Sequence, residues 1–210
     1  MVKKEVRLFE QLEKGVAVTS QKELSPERKK ILQSLIDYVQ LKVDHKQTVQ
    51  LNFICTHNSR RSHLAQVWAQ TMAYYFELPN VVCYSGGTEA TALFPVVALT
   101  LEQAGFTIEK APEEKNPRYL IQYSENGEPI VGFSKVYNDP FNPQTNFAAI
   151  MTCSQADVEC PMIHGAEKRV ALSYDDPKLF DGTPIQAEKY AERSQEIAAE
   201  MYYVFSRISV

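Results

Sequence analysis

The sequence predicts an α/β fold in which a parallel sheet carries helices on both faces, preceded by a helical extension over residues 1–48. Three observations predict it. From Val49 onward, short apolar runs of strand length alternate with segments of helical periodicity. Before Val49 the apolar residues sit only at helical spacing within charged stretches. The 210 residues are 44% apolar and 23% charged, ordinary for one well-buried domain with an extension.

In the extension, Val6, Leu8, Phe9 and Leu12 are spaced as on a helix. Ser25-Pro26-Glu27 is a helix start, with Ser at the N-cap and Pro in the first turn. Ile31, Leu32, Leu35, Ile36 and Val39 then predict a helix from Pro26 to about Lys42. Its apolar stripe can pack on the following domain or pair two copies in a homodimer. Val49 to Ile54 is a strand, and Ser62 to about Phe76 a helix with Leu64, Val67, Trp68 and Met72 on one side. Val81 to Tyr84 is a second strand ending in Ser85-Gly86-Gly87, and Pro95 to Ala104 a helix stopped by Gly105. Leu120–Tyr123 and Pro129–Phe133 flank Asn126-Gly127, a hairpin signal. Phe147 to Met151 and Arg169 to Leu172 are further strands. Thr183-Pro184-Ile185-Gln186 predicts a capping box opening the last helix, which carries Ile197, Met201, Val204 and Phe205.

Several classes are disfavoured. Four cysteines in 210 residues are too sparse for a disulfide framework. A net charge of −4 gives no push towards nucleic acid. No apolar run approaches the ~20 residues that cross a bilayer, and the first residues hold no apolar signal region. The expected compartment is the cytoplasm, where thiols stay reduced. Four cysteines and four histidines are too scattered for zinc, and no cofactor is expected.

The sharpest feature is Cys55-Thr56-His57-Asn58-Ser59-Arg60-Arg61-Ser62, between a strand and a helix. A loop wrapping onto a helix N-terminus aims backbone N–H groups at one point, which suits a tetrahedral oxyanion. The backbone of Thr56, His57, Asn58, Ser59, Arg60 and Arg61 would supply that cradle. The helix dipole and Arg61 favour a thiolate at Cys55. Arg61 can also clamp two oxyanion oxygens, and Ser62 can donate to the sulfur. The product is a nucleophile beneath a bound anion.

With its flanks, Leu51 to Ser62 resembles the signature of the low-molecular-weight protein tyrosine phosphatase superfamily. Tyr84-Ser85-Gly86-Gly87-Thr88-Glu89 resembles that superfamily's second-strand segment, and Ser173-Tyr174-Asp175-Asp176-Pro177 its Asp-Pro loop. The resemblance runs from about Val49 to Val210. It implies a four-stranded parallel sheet, with the loop at a strand's carboxyl end and Asp176 as general acid. Met151-Thr152-Cys153-Ser154-Gln155-Ala156-Asp157-Val158-Glu159-Cys160-Pro161 is similar to the C-x6-C segment of the thioredoxin-coupled arsenate reductases in that superfamily. That likeness implies a relay in which Cys55 attacks arsenate, Cys153 attacks Cys55, and Cys160 attacks Cys153, with a thioredoxin-like reductant as partner. Cys83, inside an apolar strand, is expected to be core.

Departures from the family pattern carry their own expectations. His57 stands where the family has Gly, a position where φ > 0 suits a residue as tolerant as His. Arg60 is expected to point outwards and draw anions. Asn58 and Ser85 match two of the residues around the family's structural potassium, but Pro117–Asn146 supplies no recognisable further ligands. Asp176-Pro177-Lys178-Leu179 lacks the tyrosines that line the phosphatases' aryl pocket. The expectation is an arsenate reductase. Its alternative is a phosphatase working through a phosphocysteine on a phosphate-bearing substrate. A non-catalytic oxyanion-binding module is disfavoured, because binding alone needs neither Cys55 nor Asp176.

Overall fold

The computed structural model describes residues 7–112, 115–159 and 162–210. Val6 and Cys160, both used above, lie outside the described residues. The elements run α1 (Glu10–Thr19), α2 (Pro26–Asp44), β1 (Val49–Cys55), α3 (Arg61–Tyr75), β2 (Val81–Gly87), α4 (Pro95–Ala104), β3 (Thr107–Lys110), β4 (Tyr119–Gln122) and β5 (Ile130–Gly132). They continue with β6 (Phe147–Met151), α5 (Ser154–Glu159), β7 (Ala166–Ala171), a 3-10 turn (Pro177–Phe180) and α6 (Gln186–Phe205).

Four strands form the expected parallel sheet, in the order β2-β1-β6-β7. The pleat of the two central strands explains why they are apolar throughout. Leu51, Phe53, Ala148 and Ile150 face the main core, and Ile54, Phe147, Ala149 and Met151 face a smaller one that includes α5 through Ala156. The order puts β1 in the interior, so Cys55 ends a strand that is paired on both sides.

The extension shares the main core. Leu12 and Val16 of α1 and Leu32, Leu35, Ile36 and Val39 of α2 are buried in it. Burying one such side chain contributes roughly 1.5–3 kcal/mol, so these helices are held by the same packing as the sheet. The stripe offered above to a homodimer is therefore used within the chain. Ser25 caps α2, its Oγ accepting the Arg28 N–H at 3.1 Å.

Two local expectations need correction. The last helix starts at Gln186, and neither Thr183 nor Pro184 caps it. Thr183 Oγ1 instead donates to the Phe180 carbonyl, while Gln186 Oε1 reaches back to accept the Gly182 N–H. The hairpin β4–β5 gains a third strand, β3, in an antiparallel sheet ordered β3-β4-β5. The β3 segment is mostly exposed and carries little apolar signal. Beyond β5 the chain returns to the main sheet, where Val136 makes an isolated parallel bridge to Gly87. Among the described residues, no helix is long and apolar enough to cross a membrane.

Candidate active site

Cys55 is the last residue of β1, and Arg61 the first of α3. The five residues between them turn the chain back over the start of α3. Their left-handed residue is Asn58, at φ 43°, and not His57. Asn tolerates that region well, so the loop closes without the family's Gly. His57 leans outwards instead and pairs with Glu89.

Gly87 lets the loop sit this close to β2. A Cβ there would lie 2.6 Å from the Thr56 carbonyl oxygen and 2.8 Å from the Asn58 amide nitrogen. The Thr88 and Glu89 N–H groups donate to the carbonyls of Cys55 and Thr56 at 3.1 and 2.9 Å. The loop is thereby laced to the chain leaving β2.

Cys55 is held from α3. Ser62 Oγ lies 3.1 Å from Cys55 Sγ. Asn58 Nδ2 in turn donates to Ser62 Oγ at 2.9 Å, which orients the hydroxyl's own hydrogen towards sulfur. Behind this pair stands His63, which is fully buried. Its Nε2 is 2.9 Å from the Asn58 carbonyl, and its Nδ1 is 3.2 Å from Ser85 Oγ. Burial, with the nearby positive charge of Lys135, pushes its pKa down to about 3, so the ring is a neutral strut.

Asn58 and Ser85 do not fit the potassium ion. Asn58 Oδ1 accepts the Lys135 N–H at 2.9 Å, and Ser85 Oγ is engaged by His63. The Lys135 side chain is itself buried against Phe133, and burial pulls its pKa down to about 8. A second cation beside it would be repelled. Among the described residues, no cluster of three or more His, Cys, Asp or Glu side chains could hold a metal.

The two arginines face different partners. Arg61 NH1 donates to the Tyr174 carbonyl at 3.0 Å, and NH2 to Asp176 Oδ2 at 2.5 Å. Asp176 Oδ1 accepts the Lys178 N–H at 3.0 Å, so the carboxylate also caps the 3-10 turn. Asp175 points away; its side chain is 95% exposed and meets Arg193 at 3.4 Å. Arg60, expected to reach into solvent, is only 11% exposed. It stacks 4.0 Å over Phe94 and donates to Tyr190 Oη and Asp181 Oδ2, both at 2.6 Å. Its charge is thus neutralised in a clasp between the loop and α6.

Cys153 follows β6, the strand beside β1, and is buried. Thr56 Oγ1 lies 3.5 Å from its sulfur, and the Ala156 N–H donates to the same sulfur at 3.3 Å. Cys83 is also buried, on β2, and burial pushes its thiol pKa up. The structure therefore gathers Cys55, Thr56, Arg61, Ser62, Asp176 and Cys153 into one linked site. Sequence reasoning missed His63 and Lys135. The only signal for His63 was its place in the first turn of α3, on the helix that carries Arg61 and Ser62.

No family model matches the chain. An arsenate reductase of Bacillus licheniformis is 30% identical over 139 residues, covering 66% of this chain and 80% of that protein. One from Halalkalibacterium halodurans is 25% identical over the same length and shares. Among solved structures, a low-molecular-weight phosphotyrosine phosphatase from Vibrio cholerae superposes with a TM-score of 0.51 at 13% identity, covering 75% of this chain and 94% of that one. A YwlE mutant from Bacillus subtilis gives 0.50 at 15%, covering 76% and 97%. The two solved structures agree with the fold, and the sequence likeness to the reductases goes further: this chain belongs to the arsenate reductase family, within the low-molecular-weight protein tyrosine phosphatase superfamily.

Proposed function

We propose that this chain reduces arsenate to arsenite with Cys55 as nucleophile and Cys153 and Cys160 as a thiol relay. The observation that carries this reading is Cys153, a second thiol buried beside the oxyanion loop and 3.5 Å from the Thr56 hydroxyl. A phosphatase needs no thiol there.

The chemistry follows from the contacts. Arsenate enters the cradle of backbone N–H groups between Cys55 and Arg61, drawing the Arg61 guanidinium from Asp176. Thiolate Cys55, steadied by Ser62, attacks arsenic. One arsenate oxygen leaves as water, with a proton from Asp176. Thiolate Cys153 then attacks Cys55 Sγ. The sulfur–arsenic bond breaks, its electron pair stays on arsenic, and As(V) leaves as As(III) arsenite. The two thiols have lost two electrons and form Cys55–Cys153. Cys160, assigned to the last exchange by the likeness of its segment to the reductases' C-x6-C run, attacks Cys153, forming Cys153–Cys160 and freeing Cys55. A thioredoxin-like dithiol would return the electrons.

The second reading is a phosphatase on the same parts. Asp176, held against Arg61, would serve as the acid in that reading as well. Purified reduced protein, assayed in parallel for dithiol-dependent arsenite release and for p-nitrophenyl phosphate hydrolysis, separates the two. Arsenite release lost in Cys153→Ser carries the first reading; hydrolysis alone, unchanged in that variant, carries the second.

A further inference from the structure

We propose that Arg28, in the helical extension, is a positioning residue for the Asp176 loop, which makes the extension a working part of the catalytic unit. This rests on the role given to Asp176 above.

The first turn of α2 delivers Arg28 to the base of that loop. Its Nε and NH2 grip both oxygens of Glu200, on α6, as a two-pronged pair, the second at 2.9 Å. Its remaining NH1 donates to the Ser173 carbonyl at 3.1 Å, and its guanidinium lies 4.8 Å from the Tyr174 ring centre. Tyr174 Oη donates to the same Glu200 at 2.7 Å. Glu200 is 1% exposed and Tyr174 5%. Arg28 thus fixes Ser173 by its backbone and Tyr174 by its ring, just ahead of the acid.

The next contact is with the site itself. In the free enzyme the Tyr174 carbonyl accepts from Arg61, whose other nitrogen holds Asp176; once arsenate draws Arg61 away, the ties of Arg28 to Ser173 and Tyr174 are left to hold the loop. A planar guanidinium that satisfies a carboxylate and a carbonyl together sets both in one geometry. A carboxylate as buried as Glu200 has a strong need of that partner. Without Arg28, Ser173 loses its donor and Tyr174 its cover, and the hinge of the acid loop gains freedom. The oxyanion cradle lies on the other side of Arg61 and keeps its own ties to β2 and His63. The inference therefore separates binding from chemistry: arsenate should still bind, and the step that needs a placed proton donor should slow.

The test uses full-length protein bearing Arg28→Lys, Arg28→Met or Glu200→Gln. Reduced enzyme is mixed with a series of arsenate concentrations, and arsenite release is followed through a single turnover. Arsenate protection of Cys55 from iodoacetate gives binding independently. The expected result is a limiting rate about tenfold or more lower in Arg28→Met, intermediate in Arg28→Lys, with half-saturation and protection changed less than twofold. A limiting rate equal to wild type, with only the melting temperature lowered, overturns the inference, as does a loss confined to binding. Should Arg28→Met fail to fold, Arg28→Lys and Glu200→Gln carry the same split by the same criteria. Wild-type protein that turns over neither arsenate nor an aryl phosphate removes the reading of Asp176 first, and this inference with it; an active wild type beside an unimpaired Arg28→Met removes this inference alone.

Discussion

Thr56 and Cys153 meet across the sheet at 3.5 Å, hydroxyl to sulfur, although one follows β1 and the other β6. The contact puts the second thiol at the first residue after the nucleophile. In the proposed relay, arsenate-treated Cys160→Ser should accumulate a Cys55–Cys153 disulfide. Cys153→Ser should release no arsenite catalytically. Peptide mapping by mass spectrometry reads both. A Cys160→Ser protein that turns over arsenate repeatedly with no such bridge would end the relay.

Cys55 should alkylate much faster than Cys83 at neutral pH. Both are buried, yet Cys55 faces Ser62 and a helix N-terminus while burial alone pushes the Cys83 thiol up. Cys55→Ser should abolish arsenite release and aryl phosphate hydrolysis alike. Equal alkylation rates for the two thiols would refute the assignment.

Asp176→Asn should slow turnover by about 10²-fold or more, the usual scale for a lost general acid. Asp175→Asn should leave it within about twofold, because that side chain is exposed and turned towards Arg193. Steady-state rates on each variant decide it. The reverse ranking would mean that the neighbouring carboxyl is the acid.

His63 predicts a pH dependence of stability. In the unfolded chain it takes up a proton near pH 6.5, and in the folded chain only near 3. Its contribution is full above pH 6.5 and is lost progressively as pH falls towards 3, by up to about 1.4 kcal/mol per pH unit. Urea midpoints at pH 7.5, 6.5 and 5.5 should fall more steeply in wild type than in His63→Gln, by one proton's worth of slope. Exchanging potassium for sodium at constant ionic strength should change neither melting temperature nor turnover. A potassium-specific rise in either would show that the strut is not His63.

Gly87→Ala should cost at least about 10²-fold in turnover, since a displaced loop loses its aim. The added Cβ cannot be accommodated beside Thr56 and Asn58 without moving their backbone. A fully active Gly87→Ala protein would mean that the loop tolerates the shift.

The Cys55–Arg61 loop was legible in the sequence because its parts are local. Strand, cradle, Arg61 and Ser62 occupy fourteen consecutive residues, from Val49 to Ser62, and each change of hydrophobic period marks a boundary. The braces were not legible because the topology assembles them from a distance. Lys135 reaches Asn58, and Arg28 reaches Glu200, only after the sheet has formed. Arg60 misled for the same reason. A lone arginine in a loop suggests solvent, but Phe94 arrives from just before α4, Asp181 from the end of the 3-10 turn and Tyr190 from α6. The capping box at Thr183 failed locally: its Gln186 does cap, but towards Gly182 in a wider turn.

The place of β1 between β2 and β6 has a consequence for how the chain folds. Leu51 pairs with Cys83 on one side and with Ala148 on the other. The second pairing closes a long stretch of chain, and its entropy is paid before the contacts reward it. Folding should therefore be slow, with the β1–β6 seam among its late events. Until that seam closes, Cys55 and Cys153 lie on separate segments with their sulfurs uncovered. Any oxidant present then can join Cys83 to Cys55 or Cys153, pairings that the native sheet forbids. Refolding yield should rise steeply with added thiol, and the trapped species should be mixed disulfides rather than aggregates of reduced chain.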